Sequence, residues 1–290
     1  MKTAQRLILA SIFGLASTQL APADELDGVE HVIVYAEKGR FGGWPANHGI
    51  WSWDDEIVVG FTRGYYKDLG PTRHHIDREK PEEHWLARST DGGHTWMLDH
   101  PAGRGQLVPR GAEALHGIED PEVPVPPLRE SEGGIDFTAP GFAMTLRMAS
   151  IHAGVSRFEY SLDRGHTWLG PYKLPDFGAP GTAARTAYVV DGPETVTAFI
   201  TAAKADGREG RAICIRTEDG GGTWRKVGDI GPEPEGFSIM PSAVRIDEDT
   251  LIAAVRRRDA DRRWIGAWRS DDNGATWQAL PDPVADLGEG

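Results

Sequence analysis

The residues able to do chemistry crowd into one stretch, from position 40 to position 80. It opens with Arg40-Phe41-Gly42-Gly43-Trp44-Pro45-Ala46-Asn47-His48, passes Arg63 at the end of an apolar run, and reaches His74-His75-Ile76-Asp77. A planar guanidinium can bind a carboxylate through two parallel hydrogen bonds. A carboxyl group on a loop can handle a proton once a ligand shields it from water. Trp44, Asn47, His48 and His75 stand close enough in sequence to contact whatever such groups hold. Plainer readings stay open beside these. Arg40 can be a surface residue before a Gly-Gly turn, and Arg63 can sit in a salt bridge. Asp77 can be a solvated charge in Asp77-Arg78-Glu79-Lys80, and Trp44, Trp51 and Trp53 can be core wedges. His48, His74 and His75 lack the spacing of a metal-ligand set, so no metal and no cofactor is expected.

The elements that must position these groups announce themselves by repetition. Ser89-Thr90-Asp91-Gly92-Gly93-His94-Thr95-Trp96 recurs as Ser161 to Trp168, Thr217 to Trp224 and Ser270 to Trp277, with the shared form [ST]-x-D-x-G-x-T-W. The Asp-to-Asp steps of 72, 56 and 53 residues each suit one four-stranded blade with its loops. The pattern is hairpin chemistry: Asp accepts backbone N–H bonds, Gly supplies positive φ, Thr returns the chain to a strand and Trp packs between sheets. Strand-like runs precede each copy, at Glu56–Phe61, Phe142–Leu146, Thr195–Ile200 and Thr250–Val255. No run of ten residues after the N-terminal segment has helical periodicity. The expected fold is an all-β propeller over residues 24–290. Asp136-Phe137 and Arg185-Thr186 open its second and third blades, which makes Asp136 and Arg185 candidates to line its centre.

The four copies resemble the Asp-boxes, or BNR repeats, of the sialidase (neuraminidase) superfamily. That resemblance implies a six-bladed propeller, of which this chain would hold about four to five blades, with Asp91, Asp163, Asp219 and Asp272 as structural residues on the rim. It implies a glycoside hydrolase that removes terminal sialic acid or a related acidic sugar, using several arginines, a loop acid and a Tyr nucleophile helped by a Glu. Arg40 with Pro45 is similar to the family's first arginine element, with a wider Arg-to-Pro gap. Asp77, 14 positions before Asp91, is similar to its general acid/base. Arg63 would contribute to the funnel, and Arg256 or Arg257, ending Leu251-Ile252-Ala253-Ala254-Val255, is similar to the second arginine. No third arginine strand, Tyr nucleophile or Glu base is evident. Two alternatives follow: a glycosidase or lyase of the same fold acting on another acidic glycan, or a propeller that binds carbohydrate or protein without catalysis.

Charge and composition narrow the partners. The 290 residues carry a formal net charge of −13, so nucleic acid and anionic membranes are poor partners, while a glycan is compatible. The 36 Gly and 20 Pro suit a turn-rich fold. Lys2 and Arg6 precede an apolar run from Leu7 to Ala16 and the small-residue site Ala21-Pro22-Ala23, the pattern of a secretory signal over residues 1–23. A secreted or periplasmic protein without a membrane anchor is expected. Cys214 is the lone cysteine and lies in an apolar run, where it reads as a buried small hydrophobe.

Overall fold

The computed structural model describes residues 29–111, 119–120 and 122–288; the expected signal segment, 1–23, lies outside them. The chain divides into two compact units, Met1–Val32 and Ile33–Gly290. Residues 29–32, the described part of the first, form neither helix nor strand.

The second unit holds four antiparallel sheets in chain order, the blades of a propeller. Blade 1 contains β1 (Arg40–Gly43), β2 (Ile50–Trp53), β3 (Glu56–Tyr65), β4 (Glu83–Ser89) and β5 (Met97–Asp99). Blade 2 has β6 (Ala143–Met148), β7 (Ser156–Ser161) and β8 (Leu169–Lys173). Blade 3 follows with β9 (Thr182–Ala183), β10 (Tyr188–Gly192), β11 (Thr195–Ala203), β12 (Glu209–Thr217) and β13 (Arg225–Asp229). Blade 4 is built from β14 (Phe237–Arg245), β15 (Leu251–Arg258), β16 (Arg263–Ser270) and β17 (Gln278–Val284). The expected strand runs all lie within or against β3, β6, β11 and β15. Where the sequence suggested four to five blades of four strands, the described residues form four blades, and blade 2 shows three strands.

Period-2 alternation makes the core a series of layers between blades. In blade 3, Val196, Ala198 and Ile200 of β11 and Ile213 and Ile215 of β12 pack with Met144, Leu146 and Phe158 of blade 2. The intervening Phe199, Ala212 and Cys214 pack the other way, with Leu251, Ala253, Val255 and Trp268 of blade 4. Both faces of blade 3 are therefore covered, which is why its strands read as nearly continuous apolar runs. Burial pushes the Cys214 thiol up to about 12, so it packs and does not attack. Between blades 1 and 2, Trp51, Val58 and Leu86 meet Ala143 and Trp168.

The four repeats are the turns β4–β5, β7–β8, β12–β13 and β16–β17. In each, the leading Ser or Thr hydroxyl donates to Asp Oδ1 at 2.7–2.9 Å. That same hydroxyl accepts a glycine N–H at 2.8–2.9 Å. Asp Oδ1 accepts the Thr N–H at 2.8–2.9 Å, and Oδ2 the Thr hydroxyl at 2.6–2.7 Å. These bonds, led by the Thr95 hydroxyl, lower the Asp91 carboxyl to about 2. Each carboxylate is consumed by its own turn, so the four Asp are structural.

Candidate functional site

Strands that run up and down put the repeat turns at one end of each blade and the 66–82 loop, between β3 and β4, at the other. The chemistry-bearing residues of blade 1 gather at that second end. Register explains it: Arg40 pairs with Tyr65 across β1 and β3, and Arg63 with Glu83 across β3 and β4. Asp77 joins them through its N–H, which donates to the Tyr65 carbonyl at 2.8 Å.

Arg40 and Arg63 are brought together by two carboxylates. Arg63 Nη2 lies 2.8 Å from Glu37 Oε2 and 3.1 Å from Oε1. Its Nε donates to the Tyr35 hydroxyl at 3.0 Å, and that hydroxyl donates to Glu37 at 3.1 Å. Arg40 Nη1 sits 2.5 Å from Glu119 Oε1, which is also 3.8 Å from Arg63 Nη1. The guanidinium faces are covered too: Arg40 lies over Tyr65 with its carbon 3.9 Å from the ring centroid, and Arg63 over Trp85 at 4.6 Å. Trp85 stacks in turn on His100, centroids 4.4 Å apart. Beneath them the buried Glu83 accepts the Glu119 N–H at 3.0 Å and the Trp85 indole N–H at 3.2 Å.

Asp77 is a half-buried loop carboxylate whose Oδ1 lies 3.3 Å from Lys67 Nζ and accepts the Glu79 N–H at 3.2 Å. Burial alone would raise its pKa, yet the Glu79 amide and the Lys67 charge leave it below the ordinary aspartate value. It rests ionised. His75 orders the same loop by accepting the Leu69 N–H at 3.1 Å. Trp44, at φ 56, carries Arg78 4.8 Å from its ring centroid, and meets His74 nearly perpendicular with ring centroids 5.4 Å apart. That face of the indole is taken and cannot stack on a sugar.

Two expected contact residues, His48 and Asp136, belong elsewhere. Between β1 and β2 the chain leaves the sheet for one helical turn, α1 (Pro45–His48), and drops His48 against Gly60 of β3. A Cβ on Gly60 would stand 2.6 Å from that of His48, so the glycine makes room for the imidazole. His48 is 4% exposed, with Nε2 2.9 Å from the Thr62 hydroxyl, and is a core residue. The backbone carbonyl of the half-buried Asn47 accepts from Arg147 Nη1 at 3.0 Å, which fixes the main chain of α1. Asp136 lies at the repeat-turn end: Phe137 N–H donates to the Pro193 carbonyl of the β10–β11 hairpin, and Gly134 N–H to that of Asp219. Its carboxylate closes a local turn onto Thr138, so it does not line the centre with Asp77.

Further residues are held within their own blades. Arg185 pairs with Glu209 at 2.8 Å in blade 3. In blade 4, Arg256 lies over Phe237, and Arg257 is wedged between Trp264 and Trp268, 5.1 and 5.6 Å from the centroids. Burial lowers the Arg257 pKa.

Sequence reasoning missed Tyr35, Glu37, Glu83, Trp85 and Glu119. A signal existed for the first four: Tyr35-x-Glu37 and Glu83-x-Trp85 put two side chains on one face of an extended chain, each pair beside an arginine. It also missed a buried polar layer under the site. Arg147 and Arg157, 4% and 1% exposed, stand directly opposite each other across β6 and β7. Arg147 reaches His84 Nε2 at 2.7 Å, and the His84 and His48 rings meet edge to face. Thr145 and Thr186 donate to the His48 carbonyl at 2.9 and 2.7 Å, tying blades 2 and 3 to α1.

No protein-family model matches the sequence, and no curated protein matches it. Solved structures do. A protein of unknown function from Dyadobacter fermentans superposes with a TM-score of 0.59 at 16% identity, over 85% of this chain and 70% of that one. A Hadza microbial sialidase gives 0.52 at 14%, over 83% of this chain and 46% of that one. The NanB sialidase of Streptococcus pneumoniae gives 0.52 at 10%, over 86% and 54%. The likeness is one of fold. The chain spans about half the length of each of these two sialidases.

Proposed function

We propose that the chain is a sialidase-like glycoside hydrolase that acts on the terminal sugar of a glycan at the Asp77 end of blade 1. The observation that carries this reading is that Asp77, Arg40 and Arg63 lie at one end of one blade, Arg40 paired with Tyr65 across the sheet and Asp77 tied to the Tyr65 carbonyl by its backbone N–H, on a propeller of the fold two sialidases share. The four turns resemble Asp-boxes and add support. Asp77 is the proton-handling group. It rests as a carboxylate beside Lys67, takes a proton from solvent when the sugar shields it and displaces the lysine, and donates that proton to the leaving glycosidic oxygen as the glycosidic bond breaks, while the water that adds to the anomeric carbon releases one of its own protons to solvent. Arg40 and Arg63, with their carboxylate partners, hold the sugar. A signal over residues 1–23 would bring the chain to extracellular glycans.

A second reading, a propeller that binds glycans without cleaving them, is favoured by the Lys67 pairing, which keeps Asp77 ionised. Release of methylumbelliferone from a panel of α-sialoside and uncharged glycosides, by this chain and by Asp77→Ala, separates the two. Turnover that disappears in the variant supports hydrolysis. No turnover of any glycoside by the folded protein leaves the binding reading.

A further inference from the structure

The arginine pair of blade 1 faces solvent through its carboxylate partners. The side chains of Glu37 and Glu119 are 45% and 35% exposed, those of Arg63 and Arg40 only 11% and 16%. Arg63 spends Nε and Nη2 on Tyr35 and Glu37, and Arg40 spends Nη1 on Glu119. Tyr65 and Trp85 cover a face of each guanidinium. Glu119 is anchored by its own N–H on the buried Glu83, and Glu37 by the Tyr35 hydroxyl. An incoming carboxylate would meet two like charges first. Two further guanidinium nitrogens, Arg40 Nε and Arg63 Nη1, each lie 3.8 Å from one of the same carboxylates, so an incoming carboxylate would compete with an internal one at either arginine. Such an exchange trades one charge-assisted pair for another and gains little.

Hydroxyls face no such obstacle. A carboxylate offers about four acceptor sites, more than one arginine uses, and adjacent sugar hydroxyls can donate to the remainder. We infer that the blade 1 site takes an uncharged sugar, whose hydroxyls donate to Glu37 and Glu119, and that it selects against sialic and uronic acids. This rests on the glycan reading above and narrows its substrate class. Arg40 and Arg63 then act as clamps that orient two acceptors, their two charges matched by those of Glu37 and Glu119.

The test is binding by saturation-transfer NMR of N-acetylneuraminate and of galactose, mannose, fucose and N-acetylglucosamine to the whole chain and to Glu37→Gln and Glu119→Gln. Glu37 is the more exposed partner, so its variant guards against a folding defect in the other. The expected result is that the unmodified chain binds an uncharged sugar at least about tenfold more tightly than neuraminate, and that either variant tightens neuraminate at least about tenfold by freeing guanidinium donors. Neuraminate bound more tightly than every uncharged sugar overturns the inference while keeping the glycan reading. Variants that leave neuraminate binding unchanged overturn it as well. Binding of no sugar by the folded chain overturns the glycan reading itself, and this inference with it.

Discussion

Arg147 places Nη2 2.7 Å from His84 Nε2, so that ring nitrogen accepts and the imidazole proton sits on Nδ1, bonded to the Leu107 backbone. Protonating Nε2 would end the bond and set a second cation against the guanidinium. Burial first, then Arg147, holds both His84 and its neighbour His48 well below 6.5. The sign follows from linkage. Both histidines are neutral when folded and titrate near 6.5 when unfolded, so stability is full above that pH and falls as pH drops below it. The slope is at most about 1.4 kcal/mol per pH unit for each histidine. Urea unfolding at pH 7.5 and 5.5 checks this, and His84→Gln flattens the difference. An unchanged slope in the variant would count against the role given to His84.

The close approach of α1 to β3 makes Gly60 a sensitive position. Gly60→Ala puts a methyl 2.6 Å from His48 Cβ. Overpacking of this kind costs about 1–3 kcal/mol. The loss shows as a lower denaturation midpoint with an unchanged denaturant slope.

The repeat turns stand on their leading hydroxyls as well as on their Asp. Ser161 is fully buried and accepts the Gly165 N–H at 2.8 Å. Ser161→Ala leaves a buried donor unsatisfied and costs about 1–3 kcal/mol by the same measurement. Ser161→Thr keeps the hydroxyl, as Thr217 does in the third copy, and loses less.

Lys67 sets the resting state of Asp77. Lys67→Met removes a cation 3.3 Å from the carboxylate and raises the Asp77 pKa, which a carbon-detected NMR titration reads directly. The acid limb of any glycosidase activity moves to higher pH with it. A limb that stays in place assigns the titration to another group.

The fold was legible because its signature is local. Each eight-residue turn closes with its own hydroxyl, carboxylate and glycine, so a linear pattern carries the three-dimensional device. That Arg63 and Asp77 lie at the same end of blade 1 follows from the chain itself, because β3 runs directly into the loop that carries Asp77. What the linear order hid were partners from distant segments. Glu119 reaches Arg40 across 79 positions, and His84 reaches Arg147 across 63. His48 looked available because it stands close to Arg40 in sequence, but Gly60 on β3 opens a space that takes it inward. Asp136 misled for a topological reason. The segment around it docks on the β10–β11 hairpin, at the end of the blades opposite to Asp77.

The central claim is that Asp77 moves a proton for a sugar bound at the end of blade 1. Asp77→Asn keeps the size of the side chain and removes its proton-handling capacity, so sugar binding by NMR and methylumbelliferone release should be measured together on this variant and on the unmodified chain. The account predicts binding within about threefold of the unmodified chain and turnover lower by at least about a hundredfold. Turnover that survives the substitution would contradict it.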